Sequence, residues 1–341
     1  MSRVWRTRLV ALAVAALVLT WAVGGTFGAG EPVKVRVGLI PVIGPAPLYV
    51  ALEKGYFAKE GIEARIETFR SGNAILTQVA AGNLEVGRAT LGSATLNAFA
   101  RGMDVRVVAS GQGLHPTGQN TEPLMVRKAL VASGEVKGIA DLKGKRCAIN
   151  SVGTASEFLL EAALRKGGLG LDDITLVMVP FPDMIPAFER GAIDCSILPD
   201  PLATSAAAKG FAVRFEDRYA PGSTLGVLLY NRQFMEKHPE AAARVMVAYL
   251  KATRDLLGPG WASEDNVQII HKWTKVAPES IRAMVPPYFD PDGRLNRQSL
   301  LDQQALYLRR KSLTYTTPLS MDQIIDERPL QAALKLLGAA R

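Results

Sequence analysis

The chain has 341 residues, of which 48% are hydrophobic, and it carries a formal net charge of +8. This amount of apolar material suffices for two domain cores and excludes an intrinsically disordered chain. The positive charge is dispersed, without a basic run or interleaved aromatic residues. Nucleic acid is therefore not an expected partner.

The first 30 residues are predicted to be a secretory signal peptide. Three arginines between residues 3 and 8 precede an apolar stretch from Leu9 to about Val23, and small residues follow up to Gly30. The apolar stretch is shorter than the roughly 20 residues that a spanning helix needs, which favours cleavage near Gly30 over a membrane anchor. No cysteine lies near this position to carry a lipid. We therefore expect a mature protein that is free in the periplasm.

Strands and helices alternate twice along the rest of the chain. The first series is predicted to contain strands at 33–40, 62–69, 84–90 and 105–110 and helices at 46–54, 73–81 and 93–100. The second is predicted to contain strands at 146–150, 174–179 and 192–198 and helices at 156–166, 184–190 and 202–209. Such alternation implies parallel strands with helical crossovers that cover both sheet faces. The predicted fold class is α/β, with two doubly wound lobes.

Two extended apolar segments, Glu122–Lys128 and Ser223–Asn231, are predicted to be strands that pass between the lobes and form a hinge. The second lobe is then an insertion into the first. The predicted bounds are 31–123 for the first part of lobe 1, 124–224 for lobe 2 and 225–341 for the completion of lobe 1. Amphipathic stretches at 241–257, 263–275 and 298–310 predict helices that pack on lobe 1.

Ligands of open α/β sheets bind beyond the carboxyl ends of the strands. The turns at these positions are rich in Gly, Ser, Thr, Asn and Pro, and we expect them to face each other across a cleft. The candidate ligand-binding residues are Ile43, Gly44, Pro45, Arg70, Ser71, Gly72, Asn73, Gly92, Ser93 and Gln112 in lobe 1, and Gly153, Thr154, Ser156, Asp183 and Asp200 in lobe 2. Ser71, Ser93 and Ser156 are each placed to begin a helix whose free N–H groups can bind an anion, although each alone is also explained as an ordinary N-cap.

Catalytic signatures are missing from the sequence. His115, His238 and His271 are scattered without metal-ligand spacing, and there is no nucleophile elbow, GxGxxG or P-loop. We therefore predict a protein that is not an enzyme and uses no cofactor or metal. His115 lies near a cleft loop and is the one histidine considered as a ligand contact.

Two cysteines, Cys147 and Cys195, match no zinc or redox motif and lie in predicted strands. We interpret them as buried free thiols, with a disulfide bond as the alternative that an oxidising compartment would permit. Tyr49 and Phe181 are interpreted as core residues because they lie in apolar runs, with stacking on a planar ligand as the alternative.

Three segments resemble the solute-binding proteins of ABC importers for nitrate, sulfonates, taurine and thiamine precursors. They read "ALEKGYFAKEGI" from residue 51, "DLKGKRCAINSVGTASEFLLEAALRKGGL" from residue 141 and "MIPAFERGAIDCSILPDP" from residue 184. The resemblance spans roughly residues 33–235. It implies a type II periplasmic binding protein, in which two lobes close on one small molecule by a hinge motion and deliver it to an ABC permease in the inner membrane. We expect a monomer that binds a sulfonate, a carboxylate or a pyrimidine-like molecule.

The charged residues leave the sign of the ligand open. Arg70 is a candidate for a bidentate grip on carboxylate or sulfonate, with a solvated loop arginine as the simpler interpretation. Asp183 and Asp200 favour instead an amine or a hydroxyl donor. Where many members of the family carry an Asp in the third strand, this chain has Glu85 followed by Arg88. We expect Arg88 either to snorkel, with its charged end in solvent, or to pair with Glu85 or another carboxylate, with access to the cleft as the alternative.

Two other functions are compatible with such a fold. A periplasmic sensor partner could use the same two-lobed capture, and the sequence does not distinguish it from a transport protein. A pyrimidine-synthesising enzyme class shares the fold but relies on a cluster of cysteines and works in the cytosol. The two separated cysteines and the predicted export signal argue against the enzyme.

Overall fold

The computed structural model describes residues 31–338. The predicted signal peptide, residues 1–30, lies outside these described residues. Among the helices of residues 31–338, none combines the length and the apolar character that a bilayer span requires.

Lobe 1 contains a five-stranded sheet formed by β1 (Val33–Leu39), β2 (Ile62–Thr68), β3 (Val86–Thr90), β4 (Val105–Gly113) and β10 (Thr224–Asn231). The strands lie in the order β2-β1-β3-β10-β4. β1 pairs in parallel with β2 and β3, and β10 runs antiparallel between β3 and β4. The connecting helices are α1 (Ala46–Glu53), α2 (Tyr56–Lys59), α3 (Gly72–Ala80) and α4 (Ser93–Ala100).

The "ALEKGYF" segment breaks one helix into two. Gly55 lies between α1 and α2 with φ at 69°, in the left-handed region that glycine adopts without steric cost. The turn lets Tyr49 of α1 and Phe57 of α2 both reach the hydrophobic core, where they are at most 1% exposed. The segment that carries the most specific family resemblance therefore packs α1 and α2 onto the hydrophobic core of lobe 1.

Lobe 2 repeats the sheet of lobe 1. Its strands are β5 (Leu124–Arg127), β6 (Arg146–Ile149), β7 (Thr175–Met178), β8 (Cys195–Ile197) and β9 (Ala212–Glu216), in the order β7-β6-β8-β5-β9. β6 is parallel to β7 and β8, and β5 is antiparallel to β8 and β9. Its helices are α5 (Lys128–Ala132), α6 (Ala155–Arg165), α7 (Phe181–Glu189) and α8 (Leu202–Ala208). The predicted pair of α/β lobes is confirmed, and β9 is an addition that the sequence analysis missed.

The chain crosses between the two sheets at residues 114–123 and 217–223. Two crossings were predicted, but the predicted strands Glu122–Lys128 and Ser223–Asn231 do not themselves pass between lobes. β5 lies wholly in the second sheet and β10 wholly in the first, where all eight residues of β10 are buried. An apolar run of this kind marks a strand inside a sheet. The crossings themselves read "LHPTGQNTEP" and "DRYAPGS", which is the composition of turns.

The chain after β10 is helical and packs mainly on lobe 1. Its helices are α9 (Arg232–Lys237), α10 (Pro239–Asp255), α11 (Glu264–Thr274), α12 (Pro278–Ala283), α13 (Arg297–Arg309), α14 (Met321–Ile324) and α15 (Arg328–Leu336). Residues of α10, α11, α12 and α15 share one hydrophobic core with β1 and α1. α13 reaches both lobes, because Ser299 Oγ accepts a 3.0 Å hydrogen bond from Thr224 N while Arg309 pairs with Glu161 of α6.

Cys147 in β6 and Cys195 in β8 form a disulfide bond. The two residues are direct partners in the parallel register of these strands, with Cα atoms 4.5 Å apart, and both are fully buried. The interpretation of the cysteines as free thiols is therefore wrong. The sequence places both residues in strands but does not show that these strands are neighbours.

Candidate functional site

A cavity of about 540 Å³ lies between the two lobes. Its polar lining consists of Arg88, Thr90, Gln112, Thr121, Glu122, Asn150, Thr154, Ser156, Asp200 and Thr274. Its apolar lining includes Pro41, Val42, Ile43, Leu159, Phe181, Leu202, Leu225, Val276 and Met284. A mainly apolar pocket with a few convergent polar groups is the usual form of a site for a small organic molecule.

Six of the predicted ligand-binding residues line this cavity: Ile43, Gly44, Gln112, Thr154, Ser156 and Asp200. The others lie outside it. Pro45 is buried behind its turn at the start of α1, and Asp183 is exposed in the first turn of α7. Arg70 is exposed as well. Gly92, Ser93 and Gly153 lie where the two lobes touch, next to the cavity-lining residue Thr154.

The Arg70–Asn73 turn follows β2, which is an edge strand of the first sheet. The turn therefore lies at the periphery of the lobe. Ser71 acts there as an ordinary N-cap of α3, with its Oγ accepting a 3.3 Å hydrogen bond from Ala74 N. Ser93 and Ser156 are not N-caps, because the caps of their helices are Gly92 and Thr154.

Arg88 is the cation of the cavity wall. Its side chain extends from β3, and the residue is only 8% exposed. Nη2 donates a 2.9 Å hydrogen bond to Gln112 Oε1, whereas Nε has no partner within residues 31–338. No carboxylate among those residues lies within ion-pair distance of Arg88. Burial lowers the pKa of Arg88, while nearby Tyr249, Tyr49 and Glu122 oppose that shift.

The expected ion pair between Arg88 and Glu85 is wrong. Glu85 instead accepts from Arg36, with Nη2 and Oε1 2.6 Å apart. Residues three apart on an extended chain point to opposite faces, so Glu85 and Arg88 cannot meet. Arg36 is available because β1 lies beside β3 in the sheet. The alternative, in which Arg88 reaches the cleft, is the one observed.

Two glycines make room for Arg88. A Cβ atom on Gly44 would lie 2.6 Å from Arg88 Nη2, and one on Gly226 would lie 2.6 Å from Arg88 Cζ. Both distances are too short for atoms that are not bonded to each other, so any side chain at either position would displace the guanidinium group. The Pro-Gly turn after β1 therefore accommodates the Arg88–Gln112 pair, which explains a glycine at residue 44.

Lobe 2 contributes a cluster of hydroxyl and amide groups at the start of α6. Thr154 Oγ1 lies 3.1 Å from Asn150 Oδ1 and 3.1 Å from Ser156 Oγ, and it also donates to Ser151 O over 2.7 Å. Ser156 Oγ donates to Asn150 Oδ1 as well. These contacts fix the orientation of Asn150, whose amide N–H groups stay available to a ligand. The hydroxyl groups contact an amide rather than a general base.

Asp200 does not present a free carboxylate. One of its oxygens accepts from Arg214 Nη1 over 2.9 Å, and the other accepts from the N–H and the hydroxyl group of Thr204, over 3.0 and 2.7 Å. Arg214 comes from β9, the strand that the sequence analysis missed. The carboxylate of Asp200 therefore links α8 to β9, and its charge is already neutralised by Arg214.

Glu122 is a further charged residue of the cavity that the sequence analysis did not consider. It belongs to the first crossing segment, and its carboxyl group forms no ion pair among residues 31–338. Burial raises the pKa of Glu122 to about 8, with a further contribution from Asp200, while Arg88 and Arg214 oppose the shift. A lone carboxylate two residues before the apolar start of β5, Leu124 to Val126, is the signal that could have identified it.

A backbone contact joins the two lobes next to the cavity. Ser93 N donates a 2.8 Å hydrogen bond to Gly153 O. A Cβ atom on Gly92 would lie 2.8 Å from the same oxygen, so the contact requires glycine there. Gly153 has φ at 68°, and its N–H donates to Glu157 Oε2 over 2.6 Å.

The aromatic candidates divide between core and cavity. Tyr49 is fully buried, stacks on Trp273 with ring centroids 5.2 Å apart, and donates to Val42 O over 2.9 Å. Phe181 is half-buried, packs against a hydrophobic core cluster of lobe 2 and also lines the cavity, so both interpretations hold in part. His115 does not line the cavity. Its Nδ1 accepts hydrogen bonds from Thr117 N and Gly118 N, and these bonds close a turn. Within residues 31–338, no group of three or more His, Cys, Asp or Glu is placed to hold a metal ion.

Comparison with known proteins identifies relatives of this two-lobed chain. The taurine-binding periplasmic protein of Escherichia coli K12 is 30% identical over 253 residues, which cover 72% of this chain and 71% of that protein. The crystal structure of the periplasmic aliphatic sulphonate binding protein SsuA from Escherichia coli has a TM-score of 0.71 at 22% identity and covers 86% of this chain and 92% of that one. The structure confirms the predicted fold class.

The same fold also occurs in an enzyme. The desulfurization enzyme DSZB is similar with a TM-score of 0.60 at 18% identity, over 89% of this chain and 99% of that one. The fold alone therefore does not separate binding from catalysis. Residues 28–273 match the NMT1-like family. Because this match spans most of its length, the chain belongs to the NMT1-like family.

Proposed function

We propose that the protein is a periplasmic solute-binding protein that captures a small organic anion between its lobes and delivers it to an ABC importer. The observation that carries the proposal is Arg88, a buried guanidinium group in the cavity wall that has no carboxylate partner among the described residues. A buried charge is costly unless it is paired, so an anionic ligand is the natural partner of this group.

The size and lining of the cavity support an organic ligand. A volume of about 540 Å³ exceeds what an inorganic oxyanion fills and lies in the range of sites for small organic molecules. Phe181, Leu159 and Leu225 supply apolar surface for the body of such a ligand. Sulfonates and carboxylates are therefore favoured over neutral pyrimidines, and the names of the relatives agree with an anionic head group.

Lobe closure is part of the same proposal. The sheet membership of the strands supports lobe 1 as residues 31–123 and 225–341 and lobe 2 as residues 124–224. Segments 114–123 and 217–223 would then act as the hinge, because they are the two crossings between the sheets. Export by a signal peptide, a monomeric state and an ABC permease as partner complete the proposed role. The contact of Thr154 and Ser156 with an amide supports binding without turnover.

The test is a thermal-shift screen of the purified protein with benzenesulfonate, benzoate, ethanesulfonate, taurine, nitrate and thymine, followed by calorimetry. A ligand that binds only the folded state raises the melting temperature by mass action. We expect a sulfonate or carboxylate to raise it, Arg88→Met to abolish the effect, and Ser71→Ala to leave it unchanged. A response to thymine alone, a response that survives Arg88→Met, or no response would contradict the proposal.

A further inference from the structure

We propose that Glu122 determines ligand specificity by acting as a neutral carboxyl group that donates a hydrogen bond. The ligand would then carry an anionic group for Arg88 and, in addition, an uncharged acceptor such as a carbonyl or ether oxygen. The inference rests on the proposed function and goes beyond it, because it defines a second chemical group on the ligand.

The position of Glu122 is fixed by the crossing segment to which it belongs. The hydroxyl group of Tyr219, in the other crossing segment, donates to the backbone carbonyl of Glu122. Pro123 and the buried strand β5 follow directly. The side-chain carboxyl group makes no hydrogen bond within residues 31–338, and the residue lines the cavity. The backbone is therefore anchored while the carboxyl group is free for a ligand.

The two arginines near Glu122 favour its carboxylate form, but both have other partners and only partly offset the effects that disfavour it. Arg214 from β9 is tied to Asp200 over 2.9 Å, to Asn120 O over 2.6 Å and to Asp217 over 4.0 Å, and Arg88 from β3 is tied to Gln112 over 2.9 Å. Asp200, at the end of β8, is a like charge that disfavours a second carboxylate. Burial and this repulsion raise the pKa of Glu122 to about 8. At neutral pH the group is thus mainly protonated and able to donate.

The charge balance of the cavity favours the same conclusion. Arg88 and Arg214 each carry a positive charge, and Asp200 and Asp217, which both pair with Arg214, each carry a negative charge, so these four groups sum to zero. A neutral Glu122 adds no negative charge that would oppose a monoanionic ligand on Arg88. An ionised Glu122 would place a second negative charge beside that ligand in a mainly apolar site, which is unfavourable. An anion bound to Arg88 therefore favours the protonated form of Glu122.

The competing arrangement is an ionised Glu122 that receives an ammonium group of a zwitterionic ligand. The two arrangements differ in what the substitution Glu122→Gln would do. A glutamine side chain at this position keeps a hydrogen-bond donor at every pH but cannot balance a positive charge. Binding of a ligand with a neutral acceptor would survive Glu122→Gln, whereas binding of an ammonium group would be lost.

The experiment compares benzenesulfonate, 3- and 4-acetylbenzenesulfonate and 4-(aminomethyl)benzenesulfonate by calorimetry. We expect an acetyl compound to bind about tenfold more tightly than benzenesulfonate at pH 6.5, the worth of one hydrogen bond to a buried group. This advantage should disappear at pH 9.5 in the native protein and persist there in Glu122→Gln. Asp183→Asn, which alters an exposed carboxylate outside the cavity, is the matched control and should behave as the native protein does.

Three outcomes would overturn the inference. If benzenesulfonate binds but neither acetyl compound binds more tightly, Glu122 does not donate and the proposed function stands alone. If the aminomethyl compound binds most tightly at pH 6.5 and Glu122→Gln removes its advantage, Glu122 is ionised. If no sulfonate binds at either pH and benzoate and ethanesulfonate fail as well, the proposed function fails and the inference fails with it.

Discussion

Ser93 N donates a 2.8 Å hydrogen bond to Gly153 O, and this bond joins lobe 1 to lobe 2 next to the cavity-lining residue Thr154. The N–H of Gly153 donates to the buried carboxylate of Glu157, which lies 3.4 Å from Arg310 at the end of α13. The loop that carries Thr154 into the cavity thus also forms the contact between lobes. Ligand contacts and lobe closure are therefore properties of one short segment.

Gly92→Ala should weaken ligand binding by hindering closure. Its added Cβ atom would lie 2.8 Å from Gly153 O, while the backbone of Gly92 is extended and accepts any residue. We expect the affinity for a sulfonate identified in the screen to fall by about tenfold, because about 1.4 kcal/mol of closure energy is lost. Unfolding of the unliganded protein by urea should change by less than about 1 kcal/mol.

The control for this variant is Gly138→Ala. Gly138 is also extended, and a Cβ atom there would meet no atom within 4 Å. Its affinity should equal that of the native protein. Native affinity in Gly92→Ala would show that the contact between Ser93 and Gly153 is not part of the bound state.

Arg88→Lys should separate charge from geometry. Lysine keeps a positive charge but lacks the planar guanidinium group, whose several N–H groups can bind Gln112 and a ligand oxygen at the same time. We expect calorimetry to show sulfonate affinity reduced about tenfold, with Arg88→Met reduced further, since a charge-assisted hydrogen bond is worth about 1.5–3 kcal/mol. Arg36→Met, in the same sheet, removes an ion pair outside the cavity and should leave affinity unchanged. Equal affinity in Arg88→Met and native protein would show that Arg88 does not bind the ligand.

Thr154→Ala should weaken binding while Ser71→Ala should not. Thr154 belongs to the hydroxyl and amide cluster of the cavity, and its loss removes one of the two hydroxyl contacts that orient Asn150. We expect affinity to fall by roughly three- to tenfold, as for one net hydrogen bond. Ser71 caps α3 at an exposed position, so its substitution should cost about 1 kcal/mol of unfolding free energy and no affinity. A reversed pattern in calorimetry would place the cleft at the edge of the first sheet.

The disulfide should contribute strongly to stability and little to binding. It closes a loop with a sequence separation of 48, for which chain entropy gives about 4 kcal/mol. Unfolding of Cys147→Ala/Cys195→Ala by urea should show a loss of about that size, with sulfonate affinity retained because neither residue lines the cavity. Two titratable thiols in the unfolded, unreduced native protein would contradict the bond.

The sequence predicts the order and type of the main elements because the hydrophobic residues of each recur with the period of a strand or of a helix. β1 was expected at 33–40 and occurs at Val33–Leu39, and the helix expected at 298–310 is α13, Arg297–Arg309. The apolar run of β10 was also recognised as a strand. What the run could not reveal is its position inside the first sheet, because sheet order depends on contacts between distant segments.

The candidate site was only partly predictable for the same reason. The rule that ligands lie beyond strand ends selects Gly44, Gln112 and Thr154, which line the cavity. It also selects Arg70, because it does not distinguish a central strand from the edge strand β2. Arg88 was assigned to Glu85 by nearness in sequence, whereas the partner of Glu85 comes from a neighbouring strand.

Glu122→Gln should change how the stability of the unliganded protein depends on pH. The folded-state pKa of Glu122 is about 8, above the ordinary value of 4.5, so the folded protein binds one more proton than the unfolded chain between these values. Stability therefore falls as pH rises through this window, by up to about 1.4 kcal/mol per pH unit from this group, and levels off above it. Glutamine does not titrate and removes this contribution.

Urea unfolding of the native protein and Glu122→Gln from pH 5 to pH 9 provides the measurement. The variant should gain stability relative to the native protein as pH rises to about 8, and the difference should then stay constant. Asp326→Asn is a control of opposite sign, because Arg328 lowers the pKa of Asp326 and confines its effect to acid. Its difference from the native protein should be flat over this range. Parallel curves for Glu122→Gln and native protein would mean that Glu122 is ionised throughout and cannot donate a hydrogen bond to the ligand.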